Sequence, residues 1–318
     1  MKKILALVIA LIMVCAGMTA MAEEQYYIGY SNMQLAEDFF ITVSNGLHAA
    51  AEANNIKFEE TIANRDAVLM AQNIESFLMK EVDLLIDFNV LPETGAEMAT
   101  RCAEAGIPMI SIDSVYEGAY FFGVDNYGAG VALGEGTVEF VEEKLGGKVN
   151  YIVTLWDSQA GEAVKDRCDG VVDVIAEKYG VAVENQIWLD CMADDVKTSA
   201  MTRDWLNSHP DATNILFIGQ NDDRGYAINN IVESEGRVDD CIIVSHNADP
   251  ASVENLQAHL DGSTAWVATA SYNSHLYGEQ VIDMAMRILA GEEVAQSEYT
   301  KVTTVSYKNV EEYVASLG

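Results

Sequence analysis

The stretch IGQNDDRGYAI, residues 218–228, follows an apolar run and sets four amide or acid side chains in a row: Gln220, Asn221, Asp222 and Asp223. Similar groups recur wherever a short apolar run stops. Ser31 and Asn32 follow 26–30, and Asp113 and Ser114 follow 108–112. Trp156, Asp157 and Ser158 follow 148–155, His246, Asn247 and Asp249 follow 241–245, and Tyr272 follows 267–270. Taken singly, each is a helix cap or a turn, and Asp222 and Asp249 are expected to be caps. Taken together they describe a site for a polyhydroxyl compound. Carboxylates accept from hydroxyls, amides donate and accept, aromatic faces cover apolar C–H faces, and Arg167 adds a forked donor.

The sequence offers little else. Its five histidines are scattered, and no nucleophile is paired with a base in sequence. There is no phosphate-binding P-loop, no nucleophile elbow and no zinc-binding helix motif. A strand followed by Gly128, Gly130 and Gly134 imitates a dinucleotide loop. Its spacing is off by one, and Asp125 would set negative charge beside a pyrophosphate. No cofactor and no metal are therefore expected. Cys102, Cys168, Cys191 and Cys241 are too few for a disulfide framework in so long a protein. Cys168–Cys191 is the pair to test against buried free thiols.

Residues 1–22 carry Lys2 and Lys3, an apolar run from Ile4 to Val14 and small residues ending in Ala20-Met21-Ala22. That is the pattern of a secretory signal peptide, so the protein is expected to be exported. Cys15 follows Val14 rather than a small residue, which argues against a lipid anchor. Removing Lys2 and Lys3 takes the net charge from −32 to −34. Such acidity repels nucleic acid and anionic lipid.

The remaining length exceeds what one core usually serves, so two domains are expected. Strands are expected at 26–30, 57–61, 84–88, 108–112, 120–124, 148–155, 183–189, 215–218, 241–245 and 265–268. Amphipathic stretches lie between them. Residues 39–53 place Phe39, Val43, Leu47, Ala50 and Ala51 on one face. Residues 66–80 follow Asn64, a capping type, and 273–289 end before Gly291. Strand and helix in alternation mean α/β architecture with parallel sheets covered on both faces. Ligands then bind beyond the carboxyl ends of the strands.

Five ordered blocks together resemble a known family, the exported sugar-binding proteins of ABC importers, ribose- and galactose-binding type. IGYSN with DFF (28–40) is similar to the family's first strand and Phe-Phe pair. GIPMISIDS (106–114) is similar to its block ending in a sugar-binding Asp, at Asp113. GVDNYGAG (123–130) resembles the segment at the first domain crossing. KDRCDGV (165–171) resembles the segment that puts Arg167 in the site. HPDATNILFIGQNDDRGYAI (209–228) resembles the block in which Asn221 contacts ligand.

The resemblance implies two similar doubly wound parallel-sheet domains joined by a three-strand hinge. It divides the protein into 25–124 with 273–301, and 125–272 with 302–318. It implies a ligand set of Ser31, Asp38, Phe39, Phe40, Asp113, Ser114, Trp156, Arg167, Asn221, Asn247 and Tyr272. Phe39, Trp156 and Tyr272 would stack on the sugar. Four departures argue against ribose. Ser114 replaces an Arg, Asn247 an Asp and Tyr272 a Gln, and the loop 33–38 is about two residues longer, so Asp38 only approximately meets a ligand position. The implied partners are a sugar-like ligand and a membrane permease of an ABC importer. The protein would act as a monomer, without catalysis and without nucleic acid. A sensor feeding a chemoreceptor or a membrane kinase, or a binder of a non-carbohydrate ligand, stays open.

Overall fold

The computed structural model describes residues 25–192 and 194–317. The expected signal peptide lies outside the described residues. Two six-stranded sheets organise the protein. The first contains β1 (Tyr27–Asn32), β2 (Lys57–Ile62), β3 (Leu84–Phe88), β4 (Met109–Ile112), β5 (Tyr120–Gly123) and β11 (Ser297–Tyr299). The second contains β6 (Tyr151–Trp156), β7 (Gln186–Asp190), β8 (Ile215–Gly219), β9 (Cys241–Asn247), β10 (Trp266–Ser271) and β12 (Thr303–Ser306). Their orders, β2-β1-β3-β4-β5-β11 and β7-β6-β8-β9-β10-β12, repeat one topology. The first sheet is wholly parallel, whereas β12 runs antiparallel to β10. The backbone passes between the sheets three times, after β5, after β10 and after β11.

The inner strands are buried on both faces and so read as near-continuous apolar runs, as in the fully buried Leu84–Phe88 and Ile215–Gly219. All ten expected strands form. The start of β7 is later than expected because Val183–Asn185 makes a 3₁₀ turn. The edge strands β11 and β12 have no apolar run of their own and escape the pattern. Helix α1 (Asp38–Ala53) buries Phe39, Val43, Leu47 and Ala51, a repeat of four residues. Helix α2 (Ala67–Met79) is capped by Asp66, which accepts from the Val68 and Leu69 N–H groups. Asn64 is not the cap. It adopts a left-handed conformation, φ 51°.

The remaining helices are α3 (Pro92–Ala105), α4 (Asn126–Lys144), α5 (Glu162–Tyr179), α6 (Asp195–Ser208), α7 (Asp222–Ser234), α8 (Pro250–Ala258), α9 (Ser274–Leu289) and α10 (Val310–Ser316). The glycines that imitate a dinucleotide loop lie inside α4, where they permit a close crossing with α5. A Cβ on Gly130 would stand 2.1 Å from the Arg167 carbonyl oxygen. That contact fixes the height of Arg167. Among the described residues no helix is long and apolar enough to cross a membrane.

Candidate functional site

Carboxyl ends of strands from both sheets face one small cavity of about 80 Å³. Its apolar wall comes from Met33, Phe39, Phe40, Phe88 and Val90 on the first sheet's side and Val164 on the second's. Six charged residues complete it, Arg65, Arg167 and Arg224 against Glu37, Asp113 and Asp157. Gln220, Asn221 and Asn247 supply amides.

Local backbone geometry aims these groups. Asp113 turns into a left-handed conformation, φ 56°, directly after β4. Its Oδ1 accepts from the Val124 N–H at 3.0 Å and the Tyr277 hydroxyl at 3.2 Å. Gly123 makes room, since a Cβ there would sit 2.4 Å from that oxygen. Asn247 (φ 120°) and Ala248 (φ 55°) are also left-handed, a strain that folds retain chiefly at functional sites. The Asn247 amide donates to Asp249 Oδ2 at 3.1 Å. Asn221 spends its oxygen capping α7, accepting from the Arg224 N–H at 3.2 Å. Gln220 spends its oxygen on the Asp157 N–H. Both amides therefore keep their NH₂ groups for other partners.

Arg167 donates through Nε to Asn126 Oδ1 at 2.8 Å, and its guanidinium lies 5.0 Å from the Tyr272 ring centre. Tyr272 is fully buried and does not line the cavity. Its ring stands edge-on to Phe39 at 6.2 Å, and its hydroxyl meets His246 Nδ1 at 2.8 Å. It supports two wall residues instead of covering a ligand face.

Of the other expected site residues, Phe39, Phe40, Asp113, Arg167, Asn221 and Asn247 line the cavity. Ser31, Asp38, Ser114 and Trp156 do not. The Ser31 hydroxyl accepts from the buried Asn89 amide at 3.0 Å. Asp38 is exposed at the start of α1, and the neighbouring Glu37 lines the wall. Ser114 gives its carbonyl to the Ser111 hydroxyl. Trp156 packs edge-on against Trp188 at 5.9 Å, while the next residue, Asp157, lines the cavity.

Asp222 is not a cap either. It is the first residue of α7, buried as a four-way acceptor. Oδ1 takes the Ser245 and Thr269 hydroxyls at 2.5 and 2.7 Å, and Oδ2 takes the Asp249 N–H and the Ser252 hydroxyl at 2.7 and 2.6 Å. Asp249 holds the cap position of α8, but its carboxylate accepts no bond from that helix. Cys102, Cys168, Cys191 and Cys241 are buried, and Cys168 and Cys191 are not bridged to each other; the Cys191 thiol donates to the Trp156 carbonyl at 3.1 Å.

Burial pushes several carboxyls up from their ordinary value of 3.8, Asp87 to about 7 and Asp113 and Asp223 to about 6. For Asp113 the Arg167 charge pulls back against that burial. Burial raises Asp222 as well, and for Asp249 the Asp222 charge adds to it. Groups raised in this way bind protons more tightly folded than unfolded. Their stabilisation is complete below pH 3.8 and fades as pH rises through 6–7. His246, held well below 6.5 by burial, opposes them, because it favours the fold above pH 6.5 and less so below. The carboxyls outnumber it. Calorimetry should find the unfolding midpoint several degrees higher at pH 5.5 than at pH 8. An equal or lower midpoint at pH 5.5 would contradict the raised values.

Two α/β lobes facing each other across a small cavity with an apolar wall and a polar wall define a protein built to hold one small solute between its halves. The protein belongs to the periplasmic binding protein domain family, whose model matches residues 28–293. It is 22% identical to the xylitol-binding protein of Mycolicibacterium smegmatis, over 93% of this chain and 81% of that one. It is 22% identical to the ribose import binding protein of Bacillus subtilis, over 86% and 85%. Its fold matches an ABC transporter solute-binding protein of Bacillus halodurans with bound myo-inositol, with TM-score 0.79 and 23% identity, over 92% of this chain and 98% of that one. The fold is that of the type I periplasmic binding proteins.

Proposed function

We propose that this protein captures a neutral sugar or polyol between its lobes and delivers it to the permease of an ABC importer. The observation that carries this reading is the cavity itself. It is small and has one apolar wall, and its three guanidiniums are matched by three carboxylates, so no net charge is offered to a ligand. The C–H groups of a sugar ring or an open polyol would lie against Phe39, Phe40 and Phe88. Hydroxyls, each one donor and two acceptors, would meet Asp113 and Asn247 as acceptors and Arg167, Gln220 and Asn221 as donors. Xylitol, ribose and myo-inositol, the compounds named for the relatives, are all of this kind. The lobes on this reading are 25–124 with 273–301 and 125–272 with 302–318. A ligand touching both favours the closed arrangement by its differential affinity. No bond is made or broken. Residues 1–22 would direct export, and the protein would work as a monomer.

The test is thermal unfolding of the purified protein, stripped by unfolding and refolding, against xylitol, myo-inositol, D-ribose, hexoses, amino acids and nucleosides. A ligand at 100 times its Kd stabilises by about 2.7 kcal/mol, a shift of several degrees. A rise with a sugar or polyol supports the reading. A rise only with an amino acid or nucleoside overturns it.

A further inference from the structure

Arg65 belongs to none of the recognisable sequence blocks. It follows β2 in a corner where Asn64 (φ 51°) and Arg65 (φ 59°) are both left-handed, an arrangement disfavoured for side chains of this size. Its N–H donates to the Met33 carbonyl at 3.2 Å, which ties the corner to the loop after β1. From there Nη2 donates to Glu37 Oε1 at 3.1 Å. Nη1 lies 3.7 Å from Asp157 Oδ2, which follows β6 on the opposite sheet. All three side chains line the cavity. Asp157 is only 4% exposed and is held in place, because its Oδ1 accepts from the Gln159 N–H at 3.0 Å and its own N–H donates to Gln220.

We infer that Arg65 is the clamp of the cleft, a guanidinium that joins the carboxylates of the two lobes in the closed arrangement and so retards opening. This inference rests on the binding reading above, since a clamp matters only where lobes close on a solute. The pair with Glu37 lies within one lobe and survives opening. The pair with Asp157 is lost when the lobes part, so its energy accrues to the closed state alone. Arg65 has a second effect. Without it, Glu37 and Asp157 would face each other across the cleft as uncompensated like charges and push the lobes apart. Removing Arg65 therefore both deletes an attraction and unmasks a repulsion. Removing the Asp157 charge deletes only the attraction. This predicts an asymmetry that a merely structural arginine would not produce: Asp157→Asn should partly rescue Arg65→Ala.

The experiment places spin labels at Val68→Cys and Val196→Cys, exposed positions in the first turns of α2 and α6. The four cysteines among the described residues are buried and will not compete, and the mature protein, without residues 1–22, is used so that Cys15 is absent. Without ligand, the wild type should show a closed fraction. Arg65→Ala should lower the closed-to-open ratio about fivefold, Arg65→Lys less, and added salt should weaken closure more in the wild type than in Arg65→Ala. The double variant should resemble Asp157→Asn more than Arg65→Ala. Stopped-flow with xylitol, myo-inositol or D-ribose should show dissociation about fivefold faster in Arg65→Ala, with association within about twofold. A wild type with no closed fraction, or an unchanged distance distribution and dissociation rate in Arg65→Ala, would overturn the clamp. Should no sugar or polyol bind, the carbohydrate reading fails while the distance measurement still decides the clamp.

Discussion

Asp222→Ala should cost about 4 kcal/mol of folding stability, within the range of about 3–5 kcal/mol seen when one partner of a buried charged network is removed. Four donors converge on this carboxylate from β9, β10 and α8. Alanine would leave the Ser245 and Thr269 hydroxyls and the Asp249 N–H without their acceptor, while the Ser252 hydroxyl keeps the Asp249 carbonyl at 2.8 Å, and each orphaned buried group costs about 1–3 kcal/mol before relaxation. Ser245 also accepts from the buried Trp266 ring N–H at 2.8 Å, so the disturbance reaches the core beneath the sheet. Asp222→Asn should recover about half the loss, because an amide presents one acceptor oxygen and turns an NH₂ toward the other donors. Urea denaturation measures both through the midpoint at unchanged slope. A loss below about 1 kcal/mol for alanine would mean that water replaces the carboxylate, and the network would lose its role as the tie between α7, α8 and the second sheet.

Arg167→Ala should weaken ligand binding by about 3 kcal/mol, about a hundredfold in Kd, the upper end of what a hydrogen bond from a charged group contributes. Arg167 is 8% exposed. It is fixed by Asn126 on one side and by the Tyr272 ring beneath, and it reaches the cavity already oriented. Its charge also keeps Asp113, on the opposite lobe, from rising further. Without it Asp113 would hold its proton to higher pH and become a poorer acceptor, so the binding loss should grow between pH 8 and pH 6. Arg167→Lys keeps the charge but not the planar fork and should fall between the two. Calorimetry with the sugar or polyol found by thermal shift gives the affinities. Folding stability should change far less, because the α4–α5 contact at Gly130 is made by the Arg167 backbone. A loss of affinity below about threefold would remove Arg167 from the site.

Much of this architecture is legible in the sequence, because its determinants are local. Runs such as Leu84–Phe88 announce buried parallel strands, the four-residue repeat of Phe39, Val43 and Leu47 announces α1, and polar residues crowd the strand ends where a cleft must be. The short strands β11 and β12 are not legible. Ser297–Tyr299 and Thr303–Ser306 lie at sheet edges, carry no core-facing run and are strands only because a neighbour's backbone pairs with them.

Side-chain direction divides what the sequence determines from what packing decides. The sequence by itself places a polar group after β6, but successive side chains point to opposite sides. Tertiary packing sends Trp156 to Trp188 and Asp157 to the cavity. The loop 33–38 likewise presents Glu37 and leaves Asp38 in solvent. Tyr272 is marked by sequence as a site residue, and only the fold puts it behind Arg167 and Phe39. Arg65 carries no local signal at all. Its position depends on a left-handed corner of one lobe meeting a carboxylate of the other. Arg65 and Asp157, far apart in sequence, come within 3.7 Å only when two separately folded sheets are set face to face.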